Sequence, residues 1–347
     1  MSGYVNINNS KKKVTGIYCN VNGLKKKVIS AYANKDGVAA KIWSSGNPKI
    51  WIVPDSRGLY ILRKTSLSSY SQYKELVLSG AFGDCVYSNG RFVASKESGE
   101  SYMSYDGVNW VTLDGVTIDS SNTSVQLLSD GYGVMLRVSS SLYYLEPNST
   151  TFSTIDISNI IDGLFYTEYG GHYTVNAESN IIMLFATGKG DYTNYHGIVK
   201  FEKGAPSIEK DFEYGYMANY AFAYNSSENL YYIISAASYR KVYNPVTKEY
   251  STSNVIVSGT AACWLNDDLV IGRYAKDISM YIDGDISTVT RYTMSSAFVS
   301  PYLRSKNVDN KYIALYDRTQ VFVYDTETNS GNVYSFKGCP ARGEVLV

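Results

Sequence analysis

At 347 residues the chain is longer than one hydrophobic core usually grows, which predicts one large all-β domain or two smaller ones. Its 32 Lys+Arg cancel its 32 Asp+Glu, excluding a chain that coats nucleic acid or an anionic membrane along its whole length. No apolar run is long enough to span a bilayer as a helix, and the opening MSGYVNINNSKKK has no apolar core, so no ordinary secretory signal is expected. The 34 Tyr tilt the composition toward strands and amphipathic surfaces. Cys19, Cys85, Cys263 and Cys339 have no CxxC spacing, so free thiols are expected rather than a disulfide scaffold or a zinc site. The sequons at Asn8, Asn122, Asn148 and Asn225 read as chance matches.

The charge balance hides a split. Residues 1–49 carry nine Lys and one acid, Asp36, for a net +8, which leaves the remainder at −8. This basic head repeats every 14 residues: Tyr4, Tyr18 and Tyr32 align, as do Lys13, Lys27 and Lys41. Asn22-Gly23 and Asp36-Gly37 are two-residue hairpin signals, because both central positions of a type I′ turn need positive φ. Residues 1–43 are therefore expected to form three 14-residue β-hairpin repeats, a small antiparallel module with lysine-studded edges that serves docking or oligomerisation. Residues 44–49 form the linker.

The body, 50–347, repeats at about 44 residues. Its clearest unit is 81–114, where the strands FGDCVY, RFVAS, ESYMSY and WVTL alternate with turns. Polar turns precede each second strand at Asn89-Gly90, Asp130-Gly131, Ser179-Asn180, Glu228-Asn229, Asp267-Asp268 and Asn310-Lys311, and third strands end near Leu62, Tyr105, Leu145, Phe201, Tyr243, Tyr281 and Tyr324. Seven such units without helical periodicity predict an all-β fold, a seven-bladed β-propeller with a small N-terminal antiparallel β-repeat module. The first blade lacks an innermost strand, and GEVLV at Gly343–Val347 is expected to supply it and close the ring.

The segment NGRFVASKESGESYMSYDGVNW resembles the repeats of propellers in bacteriophage tail and virion proteins and in sialidase-like bacterial proteins. The lysine-rich units VNGLKKKVISAYANKDGVAAKIW resemble short repeats of structural proteins in phages and prophages of Gram-positive bacteria. Together these resemblances cover nearly the whole chain. They imply a non-enzymatic virion component, tail- or baseplate-associated, with its propeller facing outward. Ser104-Tyr105-Asp106-Gly107-Val108-Asn109-Trp110 also resembles the sialidase Asp-box, one residue short between Asp and Gly. In that family the Asp ties a turn and the Trp packs between blades, so a structural role is implied.

No catalytic constellation emerges. The arginines Arg63, Arg137, Arg240 and Arg273 fall near second or third strands without the sialidase signature, and only His172 and His196 could serve a Ser–His–Asp arrangement. Asp283-Gly284-Asp285 and Asn266-Asp267-Asp268 read as turns, not calcium loops. No cofactor and no metal are expected, and the lysine triplets read as docking edges rather than a nucleic-acid footprint.

The 56-residue spacing into the fourth blade marks one expanded loop, 188–196, flanked by the blade connections 166–173 and 214–220. These place Tyr169, His172, Tyr192, Tyr195, His196 and Tyr216 on one propeller face, the candidate ligand-binding residues, since tyrosine rings suit stacking on sugars or gripping a protein. The expected partners are other virion subunits, in a multimeric particle, and a host-surface glycan or protein; neither nucleic acid nor membrane is expected. The competing readings are a purely structural decoration or collar subunit and a cell-wall glycan hydrolase with an acid pair in the channel mouth.

Overall fold

The computed structural model describes residues 4–334 apart from a set of segments, the longest being 64–73, 119–124, 157–172 and 188–194; it describes no side chains in 1–51, 183–199 or 205–220. All regular structure among the described residues is β, and none is helical. The head forms three separate two-stranded antiparallel sheets: Tyr4–Ile7 with Ser10–Lys13, Ile17–Val21 with Leu24–Val28, and Ser30–Lys35 with Val38–Ser44. The 14-residue period is also a register: Tyr4 pairs with Lys13, Tyr18 with Lys27 and Tyr32 with Lys41.

Seven larger antiparallel sheets follow in chain order, each a simple up-and-down meander. The first, 50–79, has three strands; the second to seventh, 82–113, 125–155, 173–214, 220–253, 261–293 and 304–334, have four each. The arrangement is a β-propeller. The expected count of seven four-stranded blades is corrected to six, with a three-stranded sheet ahead of them. Gly343–Val347, expected to complete the first sheet, lie outside the described residues.

Turn chemistry fixes where strands reverse. Asn89 and Gly90 take φ of 44° and 85°, between Ser88 and Arg91, which pair directly. Asn266 and Asp267 take 49° and 65°, the same pair of left-handed conformations that a two-residue hairpin requires.

Alternation then builds the core. Successive strand residues point to opposite faces, and here both faces are buried against neighbouring sheets. In Arg91–Lys96, Phe92 and Ala94 pack toward the first sheet with Ile52, Leu59 and Ile61, while Val93 packs toward the third with Leu127 and Leu136. The sixth and seventh sheets repeat the pattern, with Ile278 and Met280 against Ile313, Leu315 and Phe322. Much of the tyrosine excess goes into these interfaces: Tyr143, Tyr144, Tyr231, Tyr232, Tyr243, Tyr281 and Tyr324 are all buried.

Candidate functional site

The expected tyrosine–histidine sector is only partly described. Tyr169, His172, Tyr192 and Tyr216 lie outside the described residues. Tyr195 and His196, expected in a loop, open the paired strand Tyr195–Phe201, opposite Thr187 and Ala186. The extra length of the fourth unit is accordingly divided between 188–194 and the stretch from Asp156 to His172, ahead of the strand Tyr173–Val175.

The side chains that do converge lie mainly on the first strands, which face a common axis. Asp84 is wholly buried in Phe82–Ser88. Its Oδ1 accepts the Cys85 N–H at 2.8 Å, and its Oδ2 accepts the Leu127 N–H of the next sheet, also at 2.8 Å. Two cations of the seventh sheet's first strand, Arg304–Val308, reach the same carboxylate: Lys306 Nζ lies 3.4 Å from Oδ1 and Arg304 Nη1 3.8 Å from Oδ2. Lys306 also donates to the Cys85 carbonyl at 2.7 Å, and Arg304 to the Val125 carbonyl at 2.8 Å. One carboxylate thus ties the second, third and seventh sheets together.

Arg137, almost fully buried on Val134–Val138, donates to Gln126 Oε1 at 3.3 Å. Burial, then the nearby Arg304 charge, lowers its pKa to about 9. The Gln126 Nε2 and Arg304 Nε donors are buried without a hydrogen-bond partner.

Beside this charged floor lies a cavity of about 370 Å³, lined by the first strands of five sheets, among them Tyr87, Ser129, Thr174, Trp264 and Lys306. It lies toward the turns that follow the first strands, Asp130-Gly131 and Ser179. In an up-and-down meander those turns are on the face opposite the connections between sheets. Sequence reasoning missed both floor and cavity. The signal available was a charged residue inside an otherwise strand-like first strand, Asp84 in FGDCVYS and Lys306 in RSKNV.

The Asp-box-like turn has the structural role its resemblance implies. Asp106 Oδ1 accepts the Val108 and Asn109 N–H groups at 2.9 and 2.8 Å and the Ser104 hydroxyl at 3.0 Å. Trp110 donates to the Gly107 carbonyl at 3.0 Å and packs against the cluster shared by the first and second sheets. The Asp283-Gly284 turn is likewise closed internally, Asp268 accepting the Asp283 N–H at 2.9 Å. Among the described residues no group of three His, Cys, Asp or Glu could hold a metal ion.

No protein-family model matches the chain, and no curated protein matches it. The solved structures similar to it are propeller proteins of varied kinds. Sqt1 of Saccharomyces cerevisiae is 13% identical with a TM-score of 0.52, over 84% of each chain. The computationally designed Ika8 protein is 10% identical with a TM-score of 0.49, over 92% of this chain and 90% of its own. Apo AztD of Citrobacter koseri is 9% identical with a TM-score of 0.47, over 84% of this chain and 96% of its own. At such identities the likeness to Sqt1 speaks for the fold alone. The class is therefore β-propeller protein, and function has to be argued from this chain's own residues.

Proposed function

We propose that this chain is a non-enzymatic subunit of a phage or prophage particle, docked through its lysine-rich head and presenting its propeller as a binding face. The observation that carries the reading is the head itself. Among the described residues each 14-residue repeat pairs only within itself, as one isolated hairpin. A lone two-stranded hairpin is at best marginally stable in water, so three of them with a net +8 over 1–49 call for an acidic partner surface. The resemblance of these repeats to structural proteins of phage particles supplies the partner class. The propeller's ionisable groups support a non-catalytic role, because Asp84, Asp106 and Asp268 are each occupied in holding backbone N–H groups. Tyr169, His172, Tyr192, Tyr195, His196 and Tyr216 are the proposed contacts to a host glycan or protein.

The three-stranded first sheet is proposed to gain a further strand from 344–347 alongside Ile50–Asp55. Two features support this closure. One face of the seventh sheet, Ala314, Val321 and Val323, is buried although its cluster among the described residues contains only seventh-sheet residues. Arg304 and Lys306 also bridge from the seventh sheet to the second, so these two sheets lie within side-chain reach of each other across the first.

Removing residues 1–43 tests the docking role. The truncated propeller should melt at the temperature of the full chain but fail to incorporate into particles when supplied in trans. Incorporation at the normal copy number would overturn the proposal.

A further inference from the structure

The cavity beside the charged floor is a site that the docking proposal does not use. About 370 Å³ is the room of a small molecule rather than of one water, and five sheets contribute to its wall. Gly131, Val175 and Asn307 are exposed on that wall, so the cavity is open to solvent near the Asp130-Gly131 turn.

Two charged side chains belong to the wall, and each is already matched. Asp130 Oδ1 accepts the Tyr132 and Gly133 N–H groups at 2.8 and 2.6 Å, and its Oδ2 accepts the Tyr144 hydroxyl at 2.7 Å and the Gly204 N–H at 3.2 Å. Lys306 donates to the Cys85 carbonyl at 2.7 Å and lies 3.4 Å from Asp84 Oδ1. An ion entering the cavity would shed water without gaining a dedicated counter-charge, which costs far more than desolvating a neutral molecule. The rest of the wall is neutral. Ser129, Thr174, Ser179 and Ser305 bring hydroxyls, and Tyr87 and Tyr173 are half-buried aromatics.

Backbone adds to this polarity. Among the described residues each lining first strand is the inner edge of its sheet, bonded to a second strand on one side only. An edge strand leaves alternate N–H and C=O groups outside the ladder. The Ser305 hydroxyl takes up one of them, donating to the Ala262 carbonyl of the neighbouring sheet at 2.6 Å. Donors and acceptors are therefore mixed around the cavity. A hydroxyl group both donates and accepts, so a molecule carrying several can meet such a wall at many points, whereas a carboxylate only accepts and an ammonium only donates. Tyrosine rings add flat apolar faces, which suit the carbon face of a saturated ring.

We propose that the cavity binds a neutral cyclic polyol of monosaccharide size, its hydroxyls meeting the strand edges and wall hydroxyls and its ring face packed against the tyrosines. The ligand is a free small molecule, and its site shares no residue with the sector proposed for host contact.

The test is calorimetry and ligand-observed nuclear magnetic resonance on the full chain with D-glucose, D-galactose and myo-inositol. Cyclohexanol serves as the ring with a single hydroxyl, and D-glucuronate as the charged ring. At least one of the three polyols should bind saturably in the millimolar range, the scale for a ligand of about a dozen heavy atoms. Cyclohexanol should not bind, and glucuronate should bind about tenfold more weakly than the best polyol. Asn307→Trp and Thr174→Phe fill the cavity from two different sheets, and each should abolish binding while keeping the melting temperature of the full chain. Tyr195→Ala, in the host-contact sector, should leave binding unchanged. No saturable binding by any of the three, equal binding of cyclohexanol, tighter binding of glucuronate, or binding that survives both filling variants would each overturn the proposal. Binding lost in Tyr195→Ala but kept in the filling variants would place the polyol in the host-contact sector, overturning this site and leaving the docking proposal standing.

Discussion

Two interfaces between neighbouring sheets solve the same packing problem by different chemistry. Between the fifth and sixth sheets the buried contact is apolar and aromatic: Ala221, Ala223, Ile234, Ala262 and Ile271 interdigitate, and Tyr232 and Trp264 meet at 4.7 Å between ring centroids, with one exposed polar tie from the Ser227 hydroxyl to Asp267. Between the second and third sheets an apolar core is also stitched by polar groups. Ser88 donates to the Gly133 carbonyl at 2.9 Å, Asp84 takes the Leu127 N–H, and Arg91 gives Nη1 to the Ser149 carbonyl at 2.9 Å and Nη2 to the Glu146 carbonyl. Asp114 and Phe152 add a backbone bond at 2.8 Å. Apolar contact is tolerant of small slides, whereas each polar stitch has one geometry. The stitched pair is therefore more sharply specified in its relative placement than the apolar pair, and Asp84 belongs to it.

Trp264→Ala should give the largest effect, because it empties the aromatic centre of the tolerant interface. A loss of about 3–5 kcal/mol is expected from denaturant unfolding, the usual scale for deleting a buried Trp. Trp264→Phe sharpens the point. Its indole N–H has no partner to lose, so that variant should lose far less than the alanine. Comparable losses for both would mean that a hydrogen bond, not packing, holds this interface.

Arg91 is the corresponding probe of the stitched interface. It is 1% exposed, and its guanidinium spans from the turn at Asn89-Gly90 to the third sheet's carbonyls at Glu146 and Ser149. Arg91→Ala strands those carbonyls and should cost about 2–3 kcal/mol. Arg91→Lys should rescue little, since an ammonium cannot reproduce the planar fork that serves two carbonyls at once. Full recovery with Lys would reduce the stitch to a charge effect.

What was legible in the sequence follows from range. Asn89-Gly90 announces its turn because the required positive φ is a property of those two residues. Period-two alternation with both phases apolar announces strands buried on both faces, as in Phe92–Val93–Ala94. The Ser104–Trp110 turn is legible because every partner of Asp106 lies within three residues of it. Lys306 and Asp84 are 222 positions apart and become neighbours only when the sheets are arranged about one axis, so no local pattern encodes them. The cavity is less legible still, since it is a volume between strands rather than a property of any one of them. The expected count of seven four-stranded blades rested on pairing Gly343–Val347 with the first sheet, a pairing across nearly the whole chain that no local pattern encodes.

The smallest expected effect tests how much of a polar tie depends on charge. Partial burial raises the Asp106 pKa, but the N–H groups of Asn109 and Val108, the Asn109 amide and the Ser104 hydroxyl together hold it below the ordinary carboxylate value. The same turn occurs in the fifth sheet with an uncharged cap, Asn244 Oδ1 accepting the Val246 N–H at 2.9 Å and the Thr247 N–H at 3.2 Å. The seventh sheet uses Asp325, which accepts from Glu327 and Thr328 at 2.9 and 3.3 Å. Asp106→Ala should cost about 1 kcal/mol at neutral pH, the scale of losing a cap on a partly exposed turn. Asp106→Asn should cost less, because Asn244 makes the equivalent backbone bonds without a charge. A carboxyl whose folded pKa lies below its unfolded value stabilises fully above the unfolded value and loses that contribution as pH falls through the folded one. The stability gap between wild type and Asp106→Ala should therefore be constant from about pH 8 down to pH 5 and should shrink below about pH 4. A gap that widened on acidification would mean that Asp106 is protonated more readily in the fold than in the free chain, and the turn would then owe its shape to Ser104 and Trp110 instead.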